Sequence, residues 1–272
     1  MEDNITDIDY DSVQALEEFN GFHNNSGVGQ LYLCATPIGN LEDITFRVLR
    51  ILKEVDIIAA EDTRNSIKLL NHFEINTPMT SYHEYNKYDK AKVLVEKMLK
   101  GMSVAVITDA GTPGISDPGE ELVRQALASG IKVSSVPGAA ACITALTMSG
   151  QSTRRFAFEA FLPADKNERK DILKELEDET RTMIIYEAPH RLLKTLKELS
   201  EVLGGSRAVT ICKELTKRYE NSMVTTLAEA CSYYENNQPR GEYVLVIAGK
   251  DRNELKEEAQ AQWLTMSEQE TR

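Results

Sequence analysis

The sequence is poor in the residues that staple, ligate or anchor a chain. Only four of its 272 residues are cysteine: Cys34, Cys142, Cys212 and Cys231. They make no CxxC pair, and three of them sit in apolar runs. That argues against a disulfide framework or a zinc ribbon and for buried free thiols in a reducing compartment. The four histidines (His23, His72, His83 and His190) lack metal-ligand spacing, so no metal is expected. No apolar run reaches the roughly 20 residues that span a bilayer. The opening MEDNITDIDYD has neither the basic nor the apolar region of a secretory signal. Together these predict a cytoplasmic protein with no membrane partner. GxGxxG, GxxxxGK[ST], GxSxG and HExxH are all missing, which leaves a Rossmann dinucleotide site, a P-loop, a serine-hydrolase elbow and a zincin unsupported.

Positive charge is scarce too. Lys and Arg number 31 against 43 Asp and Glu, a net charge of −12. Such a balance argues against a nucleic-acid partner, but its distribution weakens the argument. Residues 1–28 hold seven acids and no Lys or Arg, and residues 251–272 hold six acids and three bases. Between 29 and 250 there are 30 acids and 28 bases, or −2. The first stretch reads as a flexible acidic extension, with a turn or two of helix at 12–19, and the last as a polar, helix-capable tail.

What the chain does have is a recurring strand–loop–helix pattern organised around VAVITDAGTPGISDPG at 104–119. It begins as a β-branched apolar run suited to a buried strand. At Asp109 it breaks into a loop holding Gly111, Pro113, Gly114, Pro118 and Gly119, which neither a helix nor a central strand accommodates. A helix at 120–129 follows. Two similar loops flank it. A strand at 31–35 runs into Thr36-Pro37-Ile38-Gly39-Asn40, and a strand at 132–136 into Pro137-Gly138-Ala139-Ala140. A strand at 56–60 ends in Glu61-Asp62-Thr63-Arg64. Helices are predicted after Asp43 or Thr45, at 65–72, at 89–100 and at 141–148. These units predict an α/β domain with a parallel sheet over 29–150, with ligands outside the carboxyl ends of its strands. After a linker at 151–153, strands at 156–161, 183–186, 208–212 and 243–248 alternate with helices at 166–177, 192–203 and 227–234. They predict a second, mixed-sheet α/β domain over 151–250. Two of its strands end in polar runs, Glu187-Ala188-Pro189-His190-Arg191 and Lys213-Glu214-Leu215-Thr216-Lys217. A cleft between the domains is the expected ligand site. Spacing and composition alone do not say which ligand.

The motifs, taken in order from 30 to 249, carry a resemblance. Thr36 to Leu41, Ala60 to Arg64, Asp109 to Gly119 and Val136 to Ala139 resemble the tetrapyrrole methylase superfamily. The runs 187–191 and 213–217 narrow it to the branch that methylates small-subunit ribosomal RNA. The resemblance implies two α/β domains of the class III methyltransferase type, S-adenosylmethionine (SAM) in the cleft between them, and a homodimer. It implies 2′-O-methylation of a cytidine in the decoding region of 16S rRNA, within the 30S subunit. Carried over position by position, the cofactor residues are Pro37, Gly39, Asp109, Ala110, Gly111, Ile115, Ser116, Ala139 and Ala140. The chain departs from the pattern at Ala160, where the family usually has glycine; if that glycine makes room for ligand, affinity or pose shifts slightly. It departs again at Gln151 to Arg154, in the linker.

Methyl transfer from a sulfonium needs an in-line nucleophile, so positioning is a main lever. A ribose hydroxyl is a weak acid, and a nearby base or cation helps with its proton. Lys213 and Glu214 are the first candidates for that role, with an ion pair or phosphate contact as the competing reading. Glu187 and His190 come second. Arg191, Lys217, Arg154 and Arg155 are the candidates for RNA contact. Lys166, Arg169 and Lys170 are basic as well but read first as a solvated helix face. Tyr82, His83 and Tyr85 either stack an unpaired base or pack in a core or interface. A corrin or porphyrin methylase and a non-catalytic ribosome-binding factor are the alternatives.

Overall fold

The computed structural model of the chain describes residues 27–251 and Lys256. Most of the extension and tail expected at the two ends therefore lies outside the described residues. Five strands form the first sheet: β1 (Gln30–Cys34), β2 (Ile57–Ala60), β3 (Met79–Ser81), β4 (Val104–Ile107) and β5 (Lys132–Val136). Their order is β3-β2-β4-β1-β5 and every pairing is parallel. β1, β2 and β4 are buried along their whole length, which is why they read as continuous apolar runs. One face is covered by α1 (Phe46–Glu54) and α2 (Thr63–His72), whose Val48, Ile51, Leu52 and Leu70 pack on Cys34, Ile58 and Ile107. The other is covered by α3 (Lys87–Leu99) and α4 (Glu120–Ala128). β1 and β4 lie side by side, yet β1 leads on toward β2 and β4 toward β5, on opposite sides. Their loops part at a topological switch point and leave a crevice.

The second sheet holds β6 (Phe156–Phe161), β7 (Thr182–Glu187), β8 (Ala208–Lys213), β9 (Asn221–Thr226) and β10 (Tyr243–Ile247), in the order β6-β7-β10-β8-β9. Only β6 and β7 are parallel. Its outer face carries α6 (Lys166–Glu175), α7 (Pro189–Leu203) and α8 (Leu227–Asn236). Its inner face, with Ile184, Cys212, Val244 and Val246, is covered by α5 (Ala141–Met148), which belongs to the first half. The small residues of α5 thus build a core shared by both halves. Among the described residues no helix is long and apolar enough to cross a membrane. Cys34, Cys142 and Cys212 are buried, and all four thiols are free.

The structure departs from the sequence expectations at the margins. β3 has three residues, and β9, an exposed strand at the sheet edge, lacks apolar alternation; both form through pairing with a neighbouring strand. α2 begins at Thr63 because the Asp62 side chain caps the Arg64 amide. α7 begins at Pro189, in the first turn, where the missing N–H costs nothing. Ala160 lines neither of the two cavities described below. It sits at an irregularity of the β6–β7 ladder with φ +52°. Room for ligand is therefore not what a glycine supplies here. The left-handed backbone is, since it costs a residue with a Cβ roughly 1–2 kcal/mol.

Candidate functional site

Three loops at strand ends are stitched together. The Thr36 amide donates to the Gly111 carbonyl at 2.9 Å and the Gly111 amide returns a bond to the Thr36 carbonyl at 3.0 Å. Thr36 Oγ1 donates to the Thr108 carbonyl at 3.1 Å, and Thr112 Oγ1 to the Ala139 carbonyl at 3.0 Å. Gly111 has φ +86°, and a Cβ there would stand 3.3 Å from Ile38 Cγ2. Glycine at 111 keeps this backbone relaxed and the loops close.

Between these loops and the second sheet lies a cavity of about 590 Å³. Asp109, Ala110, Gly111, Ile115, Ser116 and Ala140 line it, as carried over from the resemblance. Ala139 stands just outside and contributes its carbonyl to Thr112. From the second half come Phe161, Tyr186, Glu187, His190, Leu215 and the run Glu242–Val244. The rings of Phe161 and Tyr186 meet edge to face at 5.6 Å. Tyr186 Oη accepts the Cys142 amide at 2.9 Å, binding β7 to the start of α5.

One wall is acidic. Glu61, Asp109 and Asp117 all line the cavity. Glu61 accepts the Asp109 amide at 3.2 Å, and Asp109 accepts Asn65 Nδ2 at 3.0 Å. Burial, reinforced by the charges of Glu61 and Asp109, pushes the Asp117 carboxyl up to about 7. Burial also raises Glu61, with Asp109 and Asp62 adding to it against the hydrogen bond from the Asp109 amide. An aromatic and aliphatic lining beside an acidic wall suits a ligand with a flat ring system and a positive charge. SAM has both, so the residues present fit that cofactor.

Pro37 and Gly39 line a different, smaller cavity of about 350 Å³ on the far side of the same loop. Thr36, Leu41, Thr108 and, from α2, Asn65, Ser66, Lys68, Leu69 and His72 complete it. Asp109 lines both cavities.

The four candidates for proton handling are placed differently. His190 is exposed on the wall of the larger cavity, in the first turn of α7. The Glu187 side chain is buried: its carboxylate accepts the Ala188 amide at 2.8 Å and the Thr195 hydroxyl, and it faces Arg191 Nε at 3.5 Å. Thr195 in turn accepts Arg169 Nη2 at 2.7 Å, and Arg169 pairs with Glu198 at 2.6 Å. Lys213 is half-buried at the end of β8, in register with Tyr243 and, one strand further, Glu187. Glu214 has φ +51°; its Oε1 accepts Lys217 Nζ and the Glu242 amide, each at 3.0 Å. Burial opposes ionisation of Glu214, but the Lys217 and Glu242 hydrogen bonds outweigh it and hold the carboxyl below its ordinary range.

Of the basic candidates, Arg191 contacts Glu187 and donates to the Leu162 carbonyl, while Lys217 also reaches Glu242 Oε2 at 2.8 Å. Arg154 and Arg155 are exposed before the first residue of β6, roughly 17 Å of strand from Phe161. Arg169 is not on a solvated face; it is buried. Tyr82 cannot stack a base: it lies in the core, with its Oη accepting the Leu122 amide at 3.1 Å. Tyr85 is exposed, its ring 6.1 Å from that of His83. Sequence reasoning missed Glu61 and Asp117 as site residues, although both lie inside runs it singled out. It missed Phe161 and Tyr186 because only the β6–β7 register brings them together.

The Tetrapyrrole (Corrin/Porphyrin) Methylases family profile matches residues 30–231. A ribosomal RNA small subunit methyltransferase I from Synechocystis sp. is 50% identical over 234 residues, covering 85% of this chain and 84% of its own. The Bacillus subtilis protein of the same name is 45% identical over 249 residues, covering 92% and 85%. Among solved structures, a diphthine synthase aligns with a TM-score of 0.64 at 13% identity, over 81% of this chain and 90% of its own. A uroporphyrin-III C-methyltransferase from Thermus thermophilus, complexed with S-adenosyl homocysteine, aligns with a TM-score of 0.56 at 20% identity, over 80% and 97%. At those identities the likeness is one of fold. The sequence matches and the fold agree that this chain belongs to the tetrapyrrole methylase family, in the branch of the ribosomal RNA small subunit methyltransferases I.

Proposed function

We propose that the protein is a SAM-dependent methyltransferase that modifies the 2′-oxygen of a cytidine ribose in 16S rRNA. The observation that carries this reading is the cavity between the halves, with glycine loops on one side, paired aromatic rings on the other and an acidic wall. It occurs in a chain 50% identical to a relative named ribosomal RNA small subunit methyltransferase I. The cofactor supplies an electrophilic methyl group. The loops from β1, β4 and β5 would hold it beside Phe161 and Tyr186, and Glu61, Asp109 and Asp117 would balance its positive charge. Orientation of the acceptor oxygen supplies most of the rate. Glu214 serves as the clamp of the Lys217 loop and Glu187 as the anchor of a buried network, so His190 and Lys213 remain for the proton of the ribose hydroxyl.

The halves 29–150 and 151–250 act as two domains, and the working unit is a homodimer in the cytoplasm. The substrate is the assembled 30S subunit, because a chain with 31 Lys and Arg against 43 Asp and Glu makes a poor grip on naked RNA. Arg191 and Lys217, each partly exposed, exchange their carboxylate partners for phosphate on binding, and Arg154 and Arg155 meet a more distant part of the particle. The test is incubation with tritiated SAM and 30S subunits lacking the modification, with naked rRNA and 50S subunits in parallel. The expected result is label on 30S that maps to a ribose 2′-oxygen. Calorimetric SAM binding without label on any RNA would point to a small-molecule acceptor, and no SAM binding to a non-catalytic factor.

A further inference from the structure

The helix α2 stands apart from the rest of the chain in charge. It carries Arg64, Lys68 and His72 and no Asp or Glu, in a chain with 43 acids. Each of the other described helices that holds a Lys or Arg also holds an acid. Ser66 and Leu70 are buried, while Arg64, Lys68 and His72 are all exposed. The three recur every four residues, so they follow one another along the outer side of the helix. At 1.5 Å of rise per residue the row is about 12 Å long. Lys68 has no hydrogen bond or ion pair among the described residues. Arg64 pairs with Asp62 at 2.7 Å, but its side chain is 87% exposed, and a surface pair of this kind is weak. The row also starts beside the candidate site. Asn65, next to Arg64, donates to Asp109, which lines the larger cavity.

We propose that the outer row of α2 grips the phosphate backbone of the rRNA strand to one side of the nucleotide that is methylated. The inference rests on the reading of the protein as an rRNA methyltransferase. A strand that delivers an acceptor to the methyl donor must pass close to the larger cavity. α2 reaches that cavity through Asn65 and Asp109. A nucleic-acid backbone carries one negative charge per nucleotide, and a row of evenly spaced donors can follow it. Arg64 brings a planar fork, Lys68 a mobile point charge and His72 a ring N–H. Such groups hold a backbone without reading its sequence. In a chain with a net charge of −12, a stretch of one helix that is purely basic also marks where a polyanion is drawn in. Arg191 and Lys217 of the second half are tied to carboxylates, whereas Lys68 gives up no ion pair on meeting phosphate. The strand is then held from both halves, with α2 making the contact that needs no exchange of partners.

The test compares Arg64→Ala, Lys68→Ala, Lys68→Glu and His72→Asn with Lys100→Ala, which removes one exposed positive charge at the end of α3, on the other face of the first sheet. All are assayed on unmodified 30S subunits at saturating SAM over a series of salt concentrations. SAM affinity is measured separately by calorimetry, and binding to naked 16S rRNA by filter retention at low salt. The expected result is a fall in kcat/KM for 30S of about threefold in Lys68→Ala and at least tenfold in Lys68→Glu, with Arg64→Ala and His72→Asn between wild type and Lys68→Glu. In Lys68→Ala the slope of log kcat/KM against log salt becomes shallower by roughly 0.7, the value for one lost contact to a single strand. SAM Kd stays within twofold, and naked rRNA ranks the variants in the same order. An equal fall in Lys100→Ala overturns the proposal, because net charge alone then explains the effect. An unchanged kcat/KM or salt slope in the α2 variants overturns it as well. A loss on 30S with no loss on naked rRNA overturns it by assigning the row to an acidic ribosomal protein. Failure of the wild-type protein to label 30S, with SAM bound, overturns the parent reading, and the labelling assay shows that before any variant is compared.

Discussion

Asp117 holds the most displaced carboxyl of the larger cavity. Burial comes first and the charges of Glu61 and Asp109 second; together they bring it to about 7 from an ordinary 3.8. Between those two values the folded state binds more protons than the unfolded chain. Stability therefore falls as pH rises across that window and levels off above it. A cation in the cavity favours the ionised carboxyl, so SAM affinity rises with pH over the same range. Asp117→Asn should flatten both profiles and make the protein more stable at pH 8 than the wild type. Urea unfolding at pH 5 and 8, with calorimetric titration at each, checks it; an unchanged pH slope in the variant would remove Asp117 from this role. Single residues were unevenly legible. The glycines of the loops could be read from sequence, because a broken strand followed by Gly and Pro has few other uses. The buried hydroxyls of Ser66 and Thr108, which have no partner within the protein, could not, since only folding decides which hydroxyls lose their partners.

At the scale of elements, α5 begins without a cap of its own. Ala140 occupies the capping position and offers no side-chain oxygen. Tyr186 of β7 supplies one instead, accepting the Cys142 amide. Tyr186→Phe keeps the ring and deletes the cap, so it should cost about 1 kcal/mol of stability. Because the ring that lines the cavity is kept, SAM Kd should stay within about twofold; a denaturant midpoint and a calorimetric titration measure the two effects. The elements were mostly visible in the sequence, since buried parallel strands leave apolar runs and amphipathic helices leave spaced ones. β9 was not, because its NSMVTT lies at an exposed edge where no alternation is required. Arg169 and Glu187 misled for the opposite reason. Charged residues in sequence suggest solvent or catalysis, while here Thr195 joins them in a buried network that fixes α7 against β7.

At the scale of the molecule, the two halves meet where Gly39 lies under the loop that follows β8. A Cβ at Gly39 would stand 2.3 Å from Lys217 Cγ and 3.0 Å from Thr216 Oγ1. Gly39→Ala must push that loop off the β1 loop, disturbing the Lys217 ion pairs and both cavities at once. The expected cost is about 1–3 kcal/mol in stability, with SAM Kd raised at least tenfold, read by urea unfolding and calorimetry. Two α/β halves with a ligand between them could be inferred from the motif order. How they join could not. The small residues of α5 suited either close approach of a ligand or close packing, and the structure uses them for both: Ala140 and Ala141 line the larger cavity while Cys142, Ala145 and Leu146 pack under the second sheet.

The strand order of that second sheet sets a timetable for synthesis. β10 is the last strand in the chain, yet it lies in the middle, between β7 and β8. The first sheet has all its strands once Val136 has left the ribosome. Until Ile247 emerges, the second exists only as two separate strand pairs, β6–β7 and β8–β9, whose inner edges are open. The nascent chain thus carries a finished half beside one with two adhesive edges, and translation that stalls before Tyr243 strands it in that aggregation-prone state.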